Sequence, residues 1–411
     1  MCTRGLLFSG NANNSANAGF SYSNVNNSPT NANANISVHL NYNNSLKKII
    51  HIDLASWQKI QIIRNSFGSD KRRRYLVIAQ KEMKRVRNIY NEIISLENLK
   101  LADEKARKGK LKSYGVRLHD MNREDNILKL YEQLKNKTYK TSEYNIFKIY
   151  EPKERDIYQL PYFPDRIVHH AVMNILEPIW VSIFTSDTFS CIKGRGIHGC
   201  WKKVKEALRD VDNTTYCLKI DIKKYYPSIN HDILKALIRK KIKCNDTLEL
   251  LDEIIDSAKG VPIGNYLSQY FANIYLTYFD HWVKEDLKVK YYFRYADDMV
   301  FLHSDKEELR KILNEVRAYL KNELELELKH NYQIFPTQKR GIDFVGYVFF
   351  QDHILIRKSI KQNFCRKVTK LQKRKLNNKE FKQGIAGWLG WCKYSDSINL
   401  LNKIAYERGI L

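Results

Sequence analysis

The apolar residues of this chain recur with two periods, and the switches between them mark out its elements. In "YNIFKIYEPKERDIYQLPYF" two short runs of Ile, Tyr and Phe flank a charged stretch around Pro152, which predicts a strand, a turn and a second strand. After Pro164-Asp165, "RIVHHAVMNILEPIWVSIF" predicts a largely apolar helix, and "TTYCLKIDIKKYYPSI" a buried strand ending at Pro227. A long amphipathic helix is expected after Gly264, with Leu267, Phe271, Ile274, Tyr278 and Trp282 on one side. "KYYFRYADDMVFLHSD" then reads as two strands joined by an Ala-Asp-Asp turn. The next helix has a capping box at Ser304 and Glu307 and an apolar stripe of Leu309, Ile312, Leu313, Val316 and Leu320. "GIDFVGYVFF" and "HILIRK" resemble a strand pair, and residues from about 80 to 140 and the last ~50 are helical and basic. Strand, helices, hairpin, helix and strand in this order predict an α+β sheet with helices packed on one face.

Composition sharpens this picture in three ways. The 411 residues suffice for two or three domains, and 43% hydrophobic content is that of a folded soluble protein. Lys and Arg number 70 against 45 Asp and Glu, a net charge of +25, so a polyanionic partner is expected, nucleic acid before an anionic membrane surface. No apolar stretch approaches the ~20 residues of a membrane span, and no signal sequence is visible. Cysteines 2, 191, 200, 217, 244, 365 and 392 are scattered without C-x-x-C pairs, as expected for reduced thiols in a cytoplasm rather than for disulfides or zinc. Residues 1–45 stand apart, with 13 Asn and no charged residue between Gly5 and Ser45. Such a tract buries too little apolar surface to offset its ordering entropy, so a low-complexity, disordered segment is expected there.

The chemistry lies in the aspartates. Asp297 and Asp298 sit together at the tip of an apolar hairpin, and each raises the cost of ionising the other. Asp221 in "LKIDIKKYY" is again acidic within an apolar strand. If the two strands are neighbours, Asp221 and Asp297 face each other at one end of a sheet. Carboxylates so placed need a shared proton or divalent cations. Mg²⁺ accepts a few carboxylates plus phosphate oxygens, and two such ions ~4 Å apart stabilise both oxygens of an in-line phosphoryl transfer. Read without that chemistry, the motif is a hairpin turn.

Tyr295-Ala-Asp-Asp298 resembles the Y-x-D-D box of reverse transcriptases, and "KIDIKKYYPSI" resembles their first catalytic motif, 76 residues upstream (297 − 221). The resemblance covers roughly residues 85–400. It implies a right-hand polymerase with fingers, a ferredoxin-like palm and a small helical thumb. The expected layout is N-terminal helices and fingers over 46–215, palm over 216–350 and thumb over 351–411. Asp221, Asp297 and Asp298 are implied as catalytic metal ligands, joined by the backbone carbonyl of Ile222, for two Mg²⁺ ions with Mn²⁺ as a substitute. Tyr226 falls where the family places a ring under the nucleotide sugar, excluding a 2′-hydroxyl by volume. Lys153, Arg155 and Lys193, with Arg195 as a weaker match, correspond to cations that meet the incoming triphosphate. Phe344, Val345, Gly346 and Tyr347 resemble the primer grip, although a core strand with a glycine reads nearly as well. Lys329 is matched to the lysine near the leaving pyrophosphate. An RNA template, a DNA or RNA primer and deoxynucleoside triphosphates are the implied partners.

"GVPIGNYLSQYFANIYL" narrows the resemblance. Most bacterial relatives carry Gln-Gly-x-x-x-Ser-Pro here, whereas this chain has Ile263-Gly264 and Ser268-Gln269, similar to reverse transcriptases of diversity-generating retroelements. Those enzymes copy a template-repeat RNA with errors at adenines, work with a small basic helical accessory protein, and act in the cytoplasm of a bacterial, phage or archaeal host. Ile263, Gly264 and Gln269 are thus implied beside the nascent base pair. A branched alkyl group replaces an amide there, so selectivity rests on shape, which separates bases by only ~1–3 kcal/mol. Asn codons are adenine-rich, so residues 1–45 also read as a translated template repeat. Two other readings stand beside this one: a retron-type or antiphage-defence reverse transcriptase of ordinary fidelity, and a non-catalytic basic RNA-binding protein.

Overall fold

The computed structural model describes residues 6–7, 36–40, 48–52, 85–150, 154–374 and 376–406. The chain divides into two compact units, Met1–Lys84 and Arg85–Leu411. In the first, β1 (Leu6–Leu7) runs parallel to β2 (Ile36–Leu40), which pairs antiparallel with β3 (Lys48–Ile52). The boundary expected at 45 falls outside the described residues. The rest of the Asn-rich tract lies outside the described residues.

The second unit opens with helices α1 (Tyr90–Ile94), α2 (Leu96–Ala106), α3 (Tyr114–Asp120) and α4 (Arg123–Lys135). An antiparallel pair follows, β4 (Asn145–Ile149) and β5 (Arg155–Gln159), as the charged turn predicts. Helix α5 (Ile167–Val181) buries Ile167, Val168, Ala171, Val172 and Leu176, and α2 packs on it through the amide of Asn98, which donates to the carbonyl of Ala171 at 3.0 Å. Next come α6 (Gly196–Ala207), β6 (Tyr216–Asp221), α7 (His231–Arg239), α8 (Asn245–Asp256) and α9 (Tyr266–Glu285). The hairpin β7 (Tyr291–Tyr295) and β8 (Asp298–His303) leads into α10 (Lys306–Leu324) and β9 (Gln333–Pro336).

These strands form one antiparallel sheet in the order β7-β8-β6-β9. In β8 Met299, Val300, Phe301 and Leu302 are all buried, so the sheet is covered on both faces rather than on one. Cys217, Phe293, Val300 and Leu302 pack with Cys200 and Val204 of α6 and with the small sheet β10 (Ile342–Phe344), β11 (Tyr347–Phe349) and β12 (Ile354–Ile356). Helices α9 and α10 belong to the other layer, where Phe279 of α9 meets the ring of Tyr292 edge-on. For that reason α9 is not amphipathic. It is buried on nearly every side, and Tyr278 and Trp282, expected on the core face, are only half-buried. The apolar stripe expected on α10 is buried throughout, but its cap is Asp305, whose carboxylate accepts from the Glu307 N–H at 2.8 Å, not Ser304. The C-terminal helices α11 (Lys358–Gln372), α12 (Asn378–Cys392) and α13 (Ile398–Tyr406) share a core of Phe364, Val368, Leu371, Phe381, Ile385 and Ile404.

Candidate active site

Strand β6 stops at Asp221, six residues before the expected end at Pro227. Lys224 takes a left-handed φ of 46°, which turns the chain, and Ile222 is already held by a single antiparallel bridge to Leu328. The register with β8 sets Asp221 directly opposite Asp298, and Tyr295 opposite Asp298 closes the hairpin over Ala296 and Asp297. Ala296 has φ of 55°, rare for a residue with a side chain, so something must hold this turn. The three predicted carboxylates thus gather at one end of the sheet. The bridge to Leu328 uses the Lys223 N–H and the Asp221 carbonyl, so the carbonyl of Ile222 faces the opposite edge, towards the β8 side.

Burial pushes the carboxyl of Asp297 above the ordinary range, and the charge of Asp221 adds to the effect. Asp298 is pushed up to about 6, again first by burial, with Lys219 opposing and Asp221 and Asp297 reinforcing. Lys219 lies 3.4 Å from Asp298, and the ammonium of Lys329 pairs with Oδ2 of Asp221. Lys329 therefore sits on a predicted metal ligand. Oδ1 of Asp221 and Oδ1 of Asp298 are buried without any hydrogen-bond partner. Among the described residues no three acidic, His or Cys side chains are already closed into a metal cage. Two orphaned hard oxygens beside a like-charged neighbour nevertheless fit a divalent cation. Asp221, Asp297, Asp298 and the Ile222 carbonyl would hold it. A bound pair of such ions would stabilise charge on the entering and leaving oxygens of a phosphoryl transfer.

Tyr226 lies beside this cluster. Burial raises its hydroxyl pKa, and Cys191 and Asp297 raise it further while Arg294 and Arg155 oppose. The loop 260–264 holds the backbone of Tyr226. The Val261 N–H donates to the Tyr226 carbonyl at 2.9 Å, and a side chain on Gly260, at φ of 64°, would meet that carbonyl at 2.7 Å. At its other end the loop joins the β4–β5 pair: the Tyr158 N–H donates to the Ile263 carbonyl at 2.8 Å, and a Cβ on Gly264 would meet the Tyr158 carbonyl at 2.7 Å. Ile263 is half-buried and Gln269 exposed, while the hydroxyl of Ser268 donates to the Pro262 carbonyl at 2.6 Å. Lys193 is exposed two residues beyond Cys191, Arg195 is committed to the carbonyls of Thr185 and Thr188, and Lys153 lies outside the described residues.

The predicted primer grip does form a turn, with Val345 at φ of 44° and Gly346 at φ of 90°. Its two aromatic side chains face the core. Phe344 and Tyr347 are fully buried, and the Trp391 ring lies where a Cβ on Gly346 would be, at 2.5 Å. The core-strand reading describes these two aromatics, and only Val345 is half-exposed.

Sequence reasoning missed the group beneath the turn. Arg294 of β7 is fully buried and donates to both oxygens of Asp280 on α9, through Nε at 2.7 Å and Nη2 at 2.5 Å. Tyr292 and Thr188 donate to the same carboxylate at 2.7 and 2.8 Å. Burial works against the guanidinium charge, yet Asp280 holds it above its ordinary pKa. The remaining Arg294 nitrogen donates to the Ala296 carbonyl at 3.0 Å, holding the strained residue next to Asp297. The signal was present, since each is a lone charge in an apolar run, but neither run indicates its partner.

A family model described as reverse transcriptase (RNA-dependent DNA polymerase) matches residues 151–349, a span that contains all three aspartates. The chain is 26% identical over 264 residues to protein YkfC of Escherichia coli (strain K12), covering 53% of this chain and 68% of that one. It is 25% identical over 276 residues to the group II intron-encoded protein LtrA of Lactococcus lactis subsp. cremoris, covering 62% of this chain but only 45% of LtrA. Apo telomerase from Candida tropicalis has a TM-score of 0.42 at 14% identity, over 54% of this chain and 49% of that one. Reverse transcriptases generally use divalent metal ions, typically Mg²⁺. Among the described residues no helix is long and apolar enough to cross a membrane. Residues 151–349 are a reverse transcriptase domain, the polymerising unit of an RNA-directed DNA polymerase.

Proposed function

We propose that the whole chain is the reverse transcriptase of a diversity-generating retroelement. It copies a template-repeat RNA into cDNA with errors concentrated at adenines, for mutagenic retrohoming. Mg²⁺ is held by Asp221, Asp297, Asp298 and the Ile222 carbonyl, Tyr226 excludes ribonucleotides, and Arg155 and Lys193, with Lys153, meet the triphosphate. The observation that carries the reading is loop 260–264, which ties Tyr226 at one end to strand β5 at the other. A change of side chain at Ile263 therefore acts between the sugar gate and the fingers, where a forming base pair is judged. A branched alkyl group there offers no hydrogen bond, so wrong bases are rejected by shape alone. The accessory partner is a small basic helical protein, and residues 1–45 are a translated template repeat. The deciding experiment is sequencing of cDNA made by the chain on an RNA carrying the repeat next to its gene. Errors confined to template adenines support the assignment. Evenly low error makes the protein a retron-type or defence enzyme, and absence of synthesis makes it an RNA-binding protein.

A further inference from the structure

Loop 260–264 owes its shape to one peptide group, the unit between Gly260 and Val261. Its N–H donates to the Tyr226 carbonyl at 2.9 Å, and its carbonyl lies 2.8 Å from Nε2 of His231. A carbonyl oxygen only accepts, so Nε2 carries a proton and donates it. The other ring nitrogen, Nδ1, faces Oδ1 of Asp256 at 3.2 Å, and Oδ2 of that carboxylate accepts from Lys235 at 2.6 Å. Asp256 ends α8 and His231 opens α7, so the imidazole is set between two helix ends with one edge turned to the loop. His231 is half-buried, and the α7 cap beside it is made without its side chain: the Asn230 side chain accepts from the N–H groups of Asp232 and Ile233. Tyr226 and His231 belong to one short segment, so the peptide is gripped at both edges by the same stretch of chain. Gly260 stands at φ of 64°, with the Tyr226 and Pro227 carbonyls 2.7 Å from where a Cβ would be. Glycine removes that clash but leaves the backbone free to turn, and hydrogen bonds at both ends of the peptide fix it.

We propose that His231 is a positioning residue for sugar selection: by holding the Gly260 carbonyl it keeps Val261 on Tyr226, and so keeps the tyrosine where it closes the site to a 2′-hydroxyl. This role rests on the reading of Tyr226 as the sugar gate. The ring of Tyr226 has a separate support, since it meets Tyr225 edge-on with centroids 5.5 Å apart, and the Tyr225 hydroxyl donates to the Ala272 carbonyl at 2.5 Å. The backbone of the tyrosine is the part that His231 controls. A 2′-hydroxyl is rejected by volume, and volume selects only as sharply as the wall that presents it is fixed.

The test follows two readouts in the full chain, hydrogen–deuterium exchange at the Val261 amide and the ratio of kcat/KM for deoxynucleotides over ribonucleotides. His231→Phe keeps a flat ring and removes the donor. In it Val261 exchanges about fivefold faster and the ratio falls about fivefold, the worth of one hydrogen bond. His231→Gln, whose amide nitrogen reaches as far as Nε2, restores both, whereas His231→Asn, whose nitrogen stops at the depth of Nδ1, restores neither. Asp256→Ala leaves the imidazole unaimed and gives a smaller change in the same direction. Unchanged Val261 exchange in His231→Phe overturns the proposal. So does an equal loss of kcat/KM for both sugars, or a Gln variant that behaves as Phe does, since either marks a merely structural residue. Tyr226→Ala serves as the control for the gate. If it shifts discrimination while His231→Phe does not, the positioning role fails and the gate stands. If the His231 variants behave as expected but Tyr226→Ala changes nothing, the gate fails and the hold of His231 on the loop stands. Exchange requires no synthesis, so a chain that makes no cDNA is judged by Val261 alone.

Discussion

Two acidic sites lie within a few residues of one hairpin, and they are opposites. Asp280 faces Arg294 with both its oxygens occupied by four donated hydrogen bonds, in a place with no solvent exposure. Asp221, Asp297 and Asp298 are less buried, yet two of their oxygens have no partner at all and two of the carboxyls titrate upward. The buried ion pair spends its interactions on holding the turn, and the half-buried cluster keeps two oxygens without a partner. This contrast separates a charge that builds a site from charges that act in one. It also makes opposite demands on mutation.

The largest effect is expected at the unsatisfied cluster. Asp297→Ala should abolish Mg²⁺-dependent cDNA synthesis on a primed RNA while RNA binding in a filter assay stays near wild type; retained synthesis refutes the metal assignment. Because like charges are removed, Asp297→Asn should not destabilise the metal-free protein, and should stabilise it by up to about 1 kcal/mol in a denaturant titration. The paired site should respond in the other sense. Arg294→Met leaves Asp280 buried and uncompensated, at a cost of about 3–5 kcal/mol in the same titration. In Arg294→Met/Asp280→Leu part of that stability should return, but the Ala296 carbonyl remains unheld, so synthesis per folded molecule should stay at least about tenfold down. Recovery of both would reduce the pair to a structural device. A smaller change follows at Tyr226, where Ala should admit ribonucleotides and lower sugar discrimination in a competition assay by roughly tenfold or more. Smallest is Ile263→Gln, expected to lower misincorporation opposite template adenines about fivefold, as judged by cDNA sequencing, the effect of a hydrogen bond worth ~1 kcal/mol in base discrimination. No change there would detach infidelity from this residue.

The contrast between the sites also explains what could be read in advance. Two adjacent aspartates in an apolar hairpin are a local anomaly, visible in sixteen residues, and Asp221 in its apolar strand is another. The stripe of α10 and the hairpin β4–β5 were legible for the same reason, since a helix or a strand writes its period into consecutive residues. Helix α9 was misjudged because burial on all sides leaves no period to read, and its Asn273 and Asp280 point into the protein rather than away from it. The end of β6 was placed too late because Ile222 is as apolar as the strand before it, and only its bridge to Leu328 shows that the partner has changed.

Taken alone, the sequence determined that lone carboxylates would interrupt the apolar strands of a basic α+β protein, because charge, period and motif are properties of neighbouring residues. The tertiary structure alone decided that Asp221 stands in register with Asp298, that Lys329 and Lys219 neutralise them, and that Arg294 holds the turn from a helix partner 14 residues away. Register and ion pairing join residues whose separation along the chain carries no period. They are settled only when sheet order and helix packing bring backbone hydrogen bonds and buried charges into one place.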